Sequence, residues 1–121
     1  MAVHNERGKI GEKLAEEYLI SHGYKILHRN WRVKRYEVDI IAQKNGVLVF
    51  CEVKYRTSNL FGEPEAFVNK QKQNNILKAA AIYVGRYRWQ GENSFDIISI
   101  LADEKIPKIN HIENAYGSTW R

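Results

Sequence analysis

The chain has 121 residues, enough for one hydrophobic core, and it is expected to form a single domain over 1–121. Hydrophobic residues at 44% and charged residues at 27% are ordinary for a globular protein, and no apolar stretch approaches the ~20 residues of a membrane span. A net charge of +5 favours a polyanionic partner, and Cys51, the one cysteine, excludes an intramolecular disulfide and a cysteine zinc site. The segment Met1 to Arg7 lacks the apolar core of a signal peptide, so a cytoplasmic location is expected. Residues 5–22 predict an amphipathic helix, with Ile10, Leu14, Ala15, Tyr18 and Leu19 on one half of the wheel, Glu16 pointing outward and Gly23 as the stop. Glu12 lies at the edge of that stripe, and by pattern alone it is an exposed helix-surface acid. Tyr24 to Trp31 predicts a first strand, and a hairpin supplies the second and third. Residues 56–66, with Gly62 and Pro64, predict a loop. A second helix follows over 67–88, with Ile76, Leu77, Ala80, Ala81, Val84 and Tyr87 as its apolar side after a strongly polar start. Ser94 to Ala102 predicts a fourth strand, and after Pro107 the segment Ile109 to Ala115 adds an edge strand or a packed tail. The order αβββαβ implies a mixed sheet flanked by helices.

The hairpin carries the chemistry. Tyr36–Gln43 and Leu48–Tyr55 are rich in β-branched and aromatic residues, and Asn45-Gly46 between them is a strong signal for a two-residue turn. With Lys44 facing Val47, Asp39 falls opposite Glu52 and Glu37 opposite Lys54, all four on one face. Carboxylates on opposed positions, about 5 Å apart, repel by about 3 kcal/mol at an effective dielectric of 20. A hard cation such as Mg2+, or Mn2+ in its place, offsets that repulsion, and the Val53 carbonyl can add an oxygen. Lys54, two residues after Glu52, can orient or deprotonate an attacking water and stabilise charge on a phosphate. Glu37 can neutralise Lys54 or help place a second cation. The competing reading is a solvated sheet face, with a Glu37–Lys54 ion pair and two exposed acids. Ile41, Leu48 and Phe50 share that face, so it is not uniformly wet, and acids at one end of an apolar face mark a core margin. Cys51 points the other way, among Val47, Val49 and Val53, as a small buried hydrophobe.

Around the hairpin, Arg32, Lys34, Arg35 and Arg56, with Lys70 and Lys72 on the second helix, are candidate nucleic-acid contacts. Arg86 and Arg88 are expected to serve the helix dipole. Tyr36, Tyr55 and Trp89 could stack on bases, although aromatics at element ends more often cap a core. Asp96 is expected to be structural, bonded to neighbouring backbone. His4, His22, His28 and His111 show no ligand spacing.

A wider set of residues carries a family likeness. It comprises Gly8, Gly11, Glu12, Ala15, Tyr18 and Leu19; Gly23, Tyr24 and Ile26; Asn30, Trp31 and Arg32; Glu37, Asp39 and Ile41; and Val49, Glu52, Lys54 and Arg56. Gly62, Phe95, Asp96, Ile98, His111, Ile112, Asn114, Ala115 and Tyr116 complete it. Over nearly its whole length the chain resembles the PD-(D/E)XK nuclease superfamily, and within it the small bacterial YraN-like family. The resemblance implies a restriction-endonuclease-like αβββαβ core with a mixed central sheet. It implies that Asp39 is the motif's acid, Glu52 its second acid and Lys54 its lysine. It also raises Glu12, which matches a first-helix glutamate of small Holliday-junction resolvases. Tyr36 stands where the family usually has glycine, and Cys51 where valine is usual; the motif's proline is absent, since Val38 precedes Asp39. The expected function is Mg2+-dependent hydrolysis of DNA phosphodiesters, with branched or flapped structures as candidate substrates and a homodimer as the expected assembly. The alternative is a catalytically silent nuclease-fold module that binds nucleic acid or a protein.

Overall fold

Five strands form one sheet in the order β1-β2-β3-β4-β5, antiparallel throughout except for the parallel pair β3–β4. The computed structural model describes residues 2–57, 69–102 and 105–117, with backbone alone for 2–7. The elements are α1 (Ala2–Ser21), β1 (Lys25–Val33), β2 (Tyr36–Lys44), β3 (Val47–Arg56), α2 (Lys70–Tyr87), β4 (Glu92–Leu101) and β5 (Lys108–Tyr116). This is the mixed αβββαβ core that the sequence predicts, with the tail after Pro107 resolved as a fifth, edge strand. The predicted loop with Gly62 and Pro64 lies outside the described residues. Among those residues no helix is long and apolar enough to cross a membrane.

Asn45 and Gly46 both have positive φ, 51° and 78°, so the β2–β3 turn takes the conformation that matches strand twist. Gly23, at φ 89°, ends α1, and the Tyr24 N–H closes back onto the Leu19 carbonyl at 2.9 Å. α2 is capped by Asn69, whose side-chain oxygen accepts the Lys72 N–H at 2.8 Å, and ends on Arg88 in the left-handed region.

The helices divide the core by face. α1 covers Ile40, Ala42, Val49, Cys51, Ile98 and Ile100 with Ala15 and Leu19. α2 covers Trp31, Val33, Val38, Ile41, Leu48, Phe50 and Phe95 with Ile76, Ala79, Ala80 and Tyr83. Cys51 is buried beside Val49, as expected. The predicted helix faces need three corrections. Ile10 is 49% exposed. On α2, Ala79 and Tyr83 take the buried positions assigned to Ala81 and Tyr87, because spacing from Ile76 runs i, i+3, i+4, i+7. Glu16 does not point away but binds Arg29 of β1, whose Nε donates to it at 2.7 Å.

Candidate active site at the split between β2 and β3

The β2–β3 register follows the prediction from Lys44–Val47 to Ile40–Cys51, and there the pairing stops. Beyond that point β3 continues with β4 to Arg56–Leu101, and β2 continues with β1 to Tyr36–Val33. The predicted couples Asp39–Glu52 and Glu37–Lys54 are therefore not ladder pairs. At the break, Asn30 has φ 49° between the Arg29–Ile40 and Trp31–Val38 pairs, which keep one β1–β2 register. The facing phase of β2 slips at the same place: Val38 and Ile41 both join the α2-side core, while Ile40 joins the α1 side. Strict alternation would put Val38 with Ile40. Asp39 is the residue at the slip, and its carboxylate replaces a ladder carbonyl by accepting the Val53 N–H at 2.9 Å. In an extended strand the N–H and C=O of one residue leave on the same side. The Val53 carbonyl therefore faces the same gap.

The split collects charge in a half-dry place. Glu52 is 3% exposed and Asp39 is half-buried. Burial first, and then the charge of Glu52, push the Asp39 carboxyl up to about 8. Glu12 approaches from α1. Its carboxyl is also raised, by burial and by Glu37 and Glu52, against a hydrogen bond from Asn30 that lowers it. Glu12 and Asn30 line a cleft of about 160 Å³ that reaches Asp39 from the α1 side. A larger cleft, about 330 Å³, opens on the α2 side and is lined by Arg35, Tyr36, Glu37, Asp39, Glu52, Asn69, Gln71, Lys72, Asn75 and Ile76.

The lysines are arranged differently from expectation. Lys72, predicted as a surface contact for nucleic acid, places Nζ 2.7 Å from Glu52 Oε1. Burial works against the Lys72 ammonium, but Glu52, Asp39 and Lys54 together outweigh it and raise the group, whereas burial and the charge of Lys72 lower Lys54. Lys54 thus lies in the same electrostatic group as Asp39, Glu52 and Lys72. The sequence holds the signal for Lys72, which falls four residues before Ile76 and so on the buried face of α2. Glu37 is exposed and bonded to Arg32 at 3.2 Å, not to Lys54. Arg35 lies at the cleft rim with its guanidinium over the Tyr36 ring. Lys34 and Lys70 are exposed, and Arg56 is half-buried at the end of β3. Tyr55 packs against Gly11 of α1 and Trp89 against the α2-side core, so both cap the core.

Among the described residues, no three His, Cys, Asp or Glu side chains converge as a metal cage. The donor set at the split is two carboxylates with a backbone carbonyl on the same side. That suits a hard cation that keeps several waters better than it suits Zn2+.

Asp96 lies elsewhere and is 1% exposed. It accepts from Ser94 Oγ, from the Asn114 N–H at 3.0 Å and from His111 Nε2 at 2.6 Å, and His111 Nδ1 meets the Tyr18 hydroxyl at 3.1 Å. These bonds tie β4 to β5 and α1 where the β4–β5 register shifts, the structural role expected of Asp96.

The model of the family described as "Uncharacterised protein family UPF0102" matches residues 11–100. A UPF0102 protein of Bacteroides thetaiotaomicron is 42% identical over 116 residues, covering 96% of both chains. One from Syntrophomonas wolfei is 44% identical, covering 94% of this chain and 100% of its own. One from Thermodesulfovibrio yellowstonii is 46% identical, covering 92% and 96%.

Proposed function

We propose that this chain, which belongs to the UPF0102 family, is a divalent-cation-dependent endonuclease of PD-(D/E)XK type acting on DNA. One observation carries the reading: β2 and β3 part so that Asp39, Glu52 and the Val53 carbonyl face one gap, with Lys54 beside them. Asp39 and Glu52 would hold Mg2+ or Mn2+. The cation supplies Lewis-acid stabilisation of charge on the phosphate being cleaved. Lys54, biased towards its neutral form, accepts a proton from the attacking water, whose oxygen bonds to phosphorus as the P–O bond to the leaving sugar breaks. Glu12 orients that water from the α1 side. Arg35 lines the cleft, and Arg32, Lys34, Arg56 and Lys70 would join it in neutralising the sugar–phosphate backbone.

The test is cleavage of linear, flapped and four-way-junction DNA, and of RNA, with Mg2+ or Mn2+, alongside Mn2+ calorimetry. Native protein is expected to cut DNA. Asp39→Asn and Glu52→Gln should each abolish Mn2+ binding and lower the cleavage rate by about a hundredfold or more. Equal Mn2+ binding by both variants would remove the metal site. One observation favours a second reading, a silent nucleic-acid-binding module: Lys72 satisfies Glu52 without any metal. DNA binding that survives in all variants, with no Mn2+ binding and no cleavage, would establish that reading instead.

A further inference from the structure

Glu52 and Lys72 are unequal partners. The Glu52 side chain is 4% exposed and fixed in the middle of the sheet, whereas the Lys72 side chain is 43% exposed. The Lys72 backbone is pinned by the Asn69 cap at 2.8 Å, so its ammonium can swing on a stationary helix turn. One of the pair can leave and the other cannot. The ammonium also stands where a second cation would have to stand. With Nζ 2.7 Å from Oε1, a divalent ion on that oxygen, at a bond of about 2.1 Å, would face a like charge across it.

We propose that Lys72 is the built-in counter-ion of the acid pair, holding the place of the divalent cation until that cation displaces it into the cleft. The inference rests on the metal site proposed above and adds to it a competitor inside the same chain. An uncompensated Glu52 next to Asp39 would be costly in so dry a place, and Lys72 removes that cost while the metal is absent. Once displaced, Lys72 stays on the side of α2 that lines the larger cleft. There its charge, with that of Arg35, is available to a phosphate oxygen. Lys72 is thus a positioning residue whose occupancy of Glu52 and the metal's are mutually exclusive.

Mn2+ calorimetry on native protein, Lys72→Met and Lys78→Met separates this from the parent reading. Lys78 is an exposed lysine on the same helix, without a role at the site, and serves as the control. Lys72→Met should bind Mn2+ about fivefold tighter or more, and Lys78→Met should bind as native does. Manganese binding by Lys72→Met equal to or weaker than native would overturn the competition while leaving the metal site standing. Failure of native and Lys72→Met alike to bind Mn2+ would overturn both. Binding by Lys72→Met alone would support the competition in its strongest form. If Lys72→Met does not fold, the ε-carbon NMR signal of Lys72 in native protein gives the answer. It should move on Mg2+ addition, in saturating proportion, and no movement would overturn the proposal.

Discussion

Asp39 is a carboxyl whose proton persists past neutrality, and the sign of the consequence follows from that. Its folded-state value, about 8, lies above the ordinary 3.8. Between those values the folded chain keeps a proton that the unfolded chain has lost. Metal-free stability should therefore fall as pH rises through that window, by at most about 1.4 kcal/mol per pH unit for one proton. Urea unfolding between pH 5 and 8 should show the decline, and Asp39→Asn should flatten it. Binding of Mn2+ runs the opposite way, because the proton must leave first: affinity should rise with pH, by about tenfold per unit well below 8, and level off above it. A flat affinity profile would mean that Asp39 is already ionised. The identity of this residue was legible in the sequence, but its setting was not. Alternation across the hairpin places Asp39 against Glu52, and nothing in a strand pattern states that a ladder will end between them. The Ile40-Ile41 doublet after Val38 and Asp39 does record the change of phase, since both sides of β2 become apolar there.

At the scale of elements, the approach of α1 to β3 depends on a missing side chain. A Cβ on Gly11 would lie 2.8 Å from Tyr55 Cβ. Gly11→Ala gains helix propensity, about 1 kcal/mol, yet forces α1 off the sheet at a cost of about 1–3 kcal/mol. The variant should be less stable in urea, and its DNA cleavage rate should fall as Glu12, the next residue, shifts with the helix. Asp96 makes a second prediction. Asp96→Ala leaves the Ser94 hydroxyl, the Asn114 N–H and His111 without their acceptor, which should cost roughly 2–4 kcal/mol in thermal or urea unfolding. Turn chemistry made the elements readable: Asn45-Gly46 set the hairpin and Gly23 the helix end. The partners of charged side chains were harder to read. Glu37 chose Arg32, its directly opposed partner across the short β1–β2 turn, while Glu16 chose Arg29 and Lys72 chose Glu52, contacts between segments whose spacing no local pattern encodes.

At the scale of the whole molecule, the +5 charge and one acid cleft bear on assembly. Cutting both strands of a duplex or junction needs two such clefts, and a two-fold homodimer is the commonest way to obtain them. We expect sedimentation at micromolar concentration to show a dimer, and competition binding to favour branched over linear DNA. Affinity should fall steeply with salt as counterions are retained by the DNA. A strict monomer without preference for branched DNA would move weight to the silent binding module.

The parallel β3–β4 pair has a kinetic consequence. Its partners, from Val47 with Glu92 to Arg56 with Leu101, cannot meet by zipping from a turn, because α2 lies between them in the chain. The β1–β2–β3 meander closes through short turns and should form first; docking of α2 and β4 carries the larger loop-closure entropy and should come late. The two acids are then drawn together before the helix bearing their lysine arrives. Removal of that lysine should speed unfolding and leave the refolding rate nearly unchanged in stopped-flow experiments.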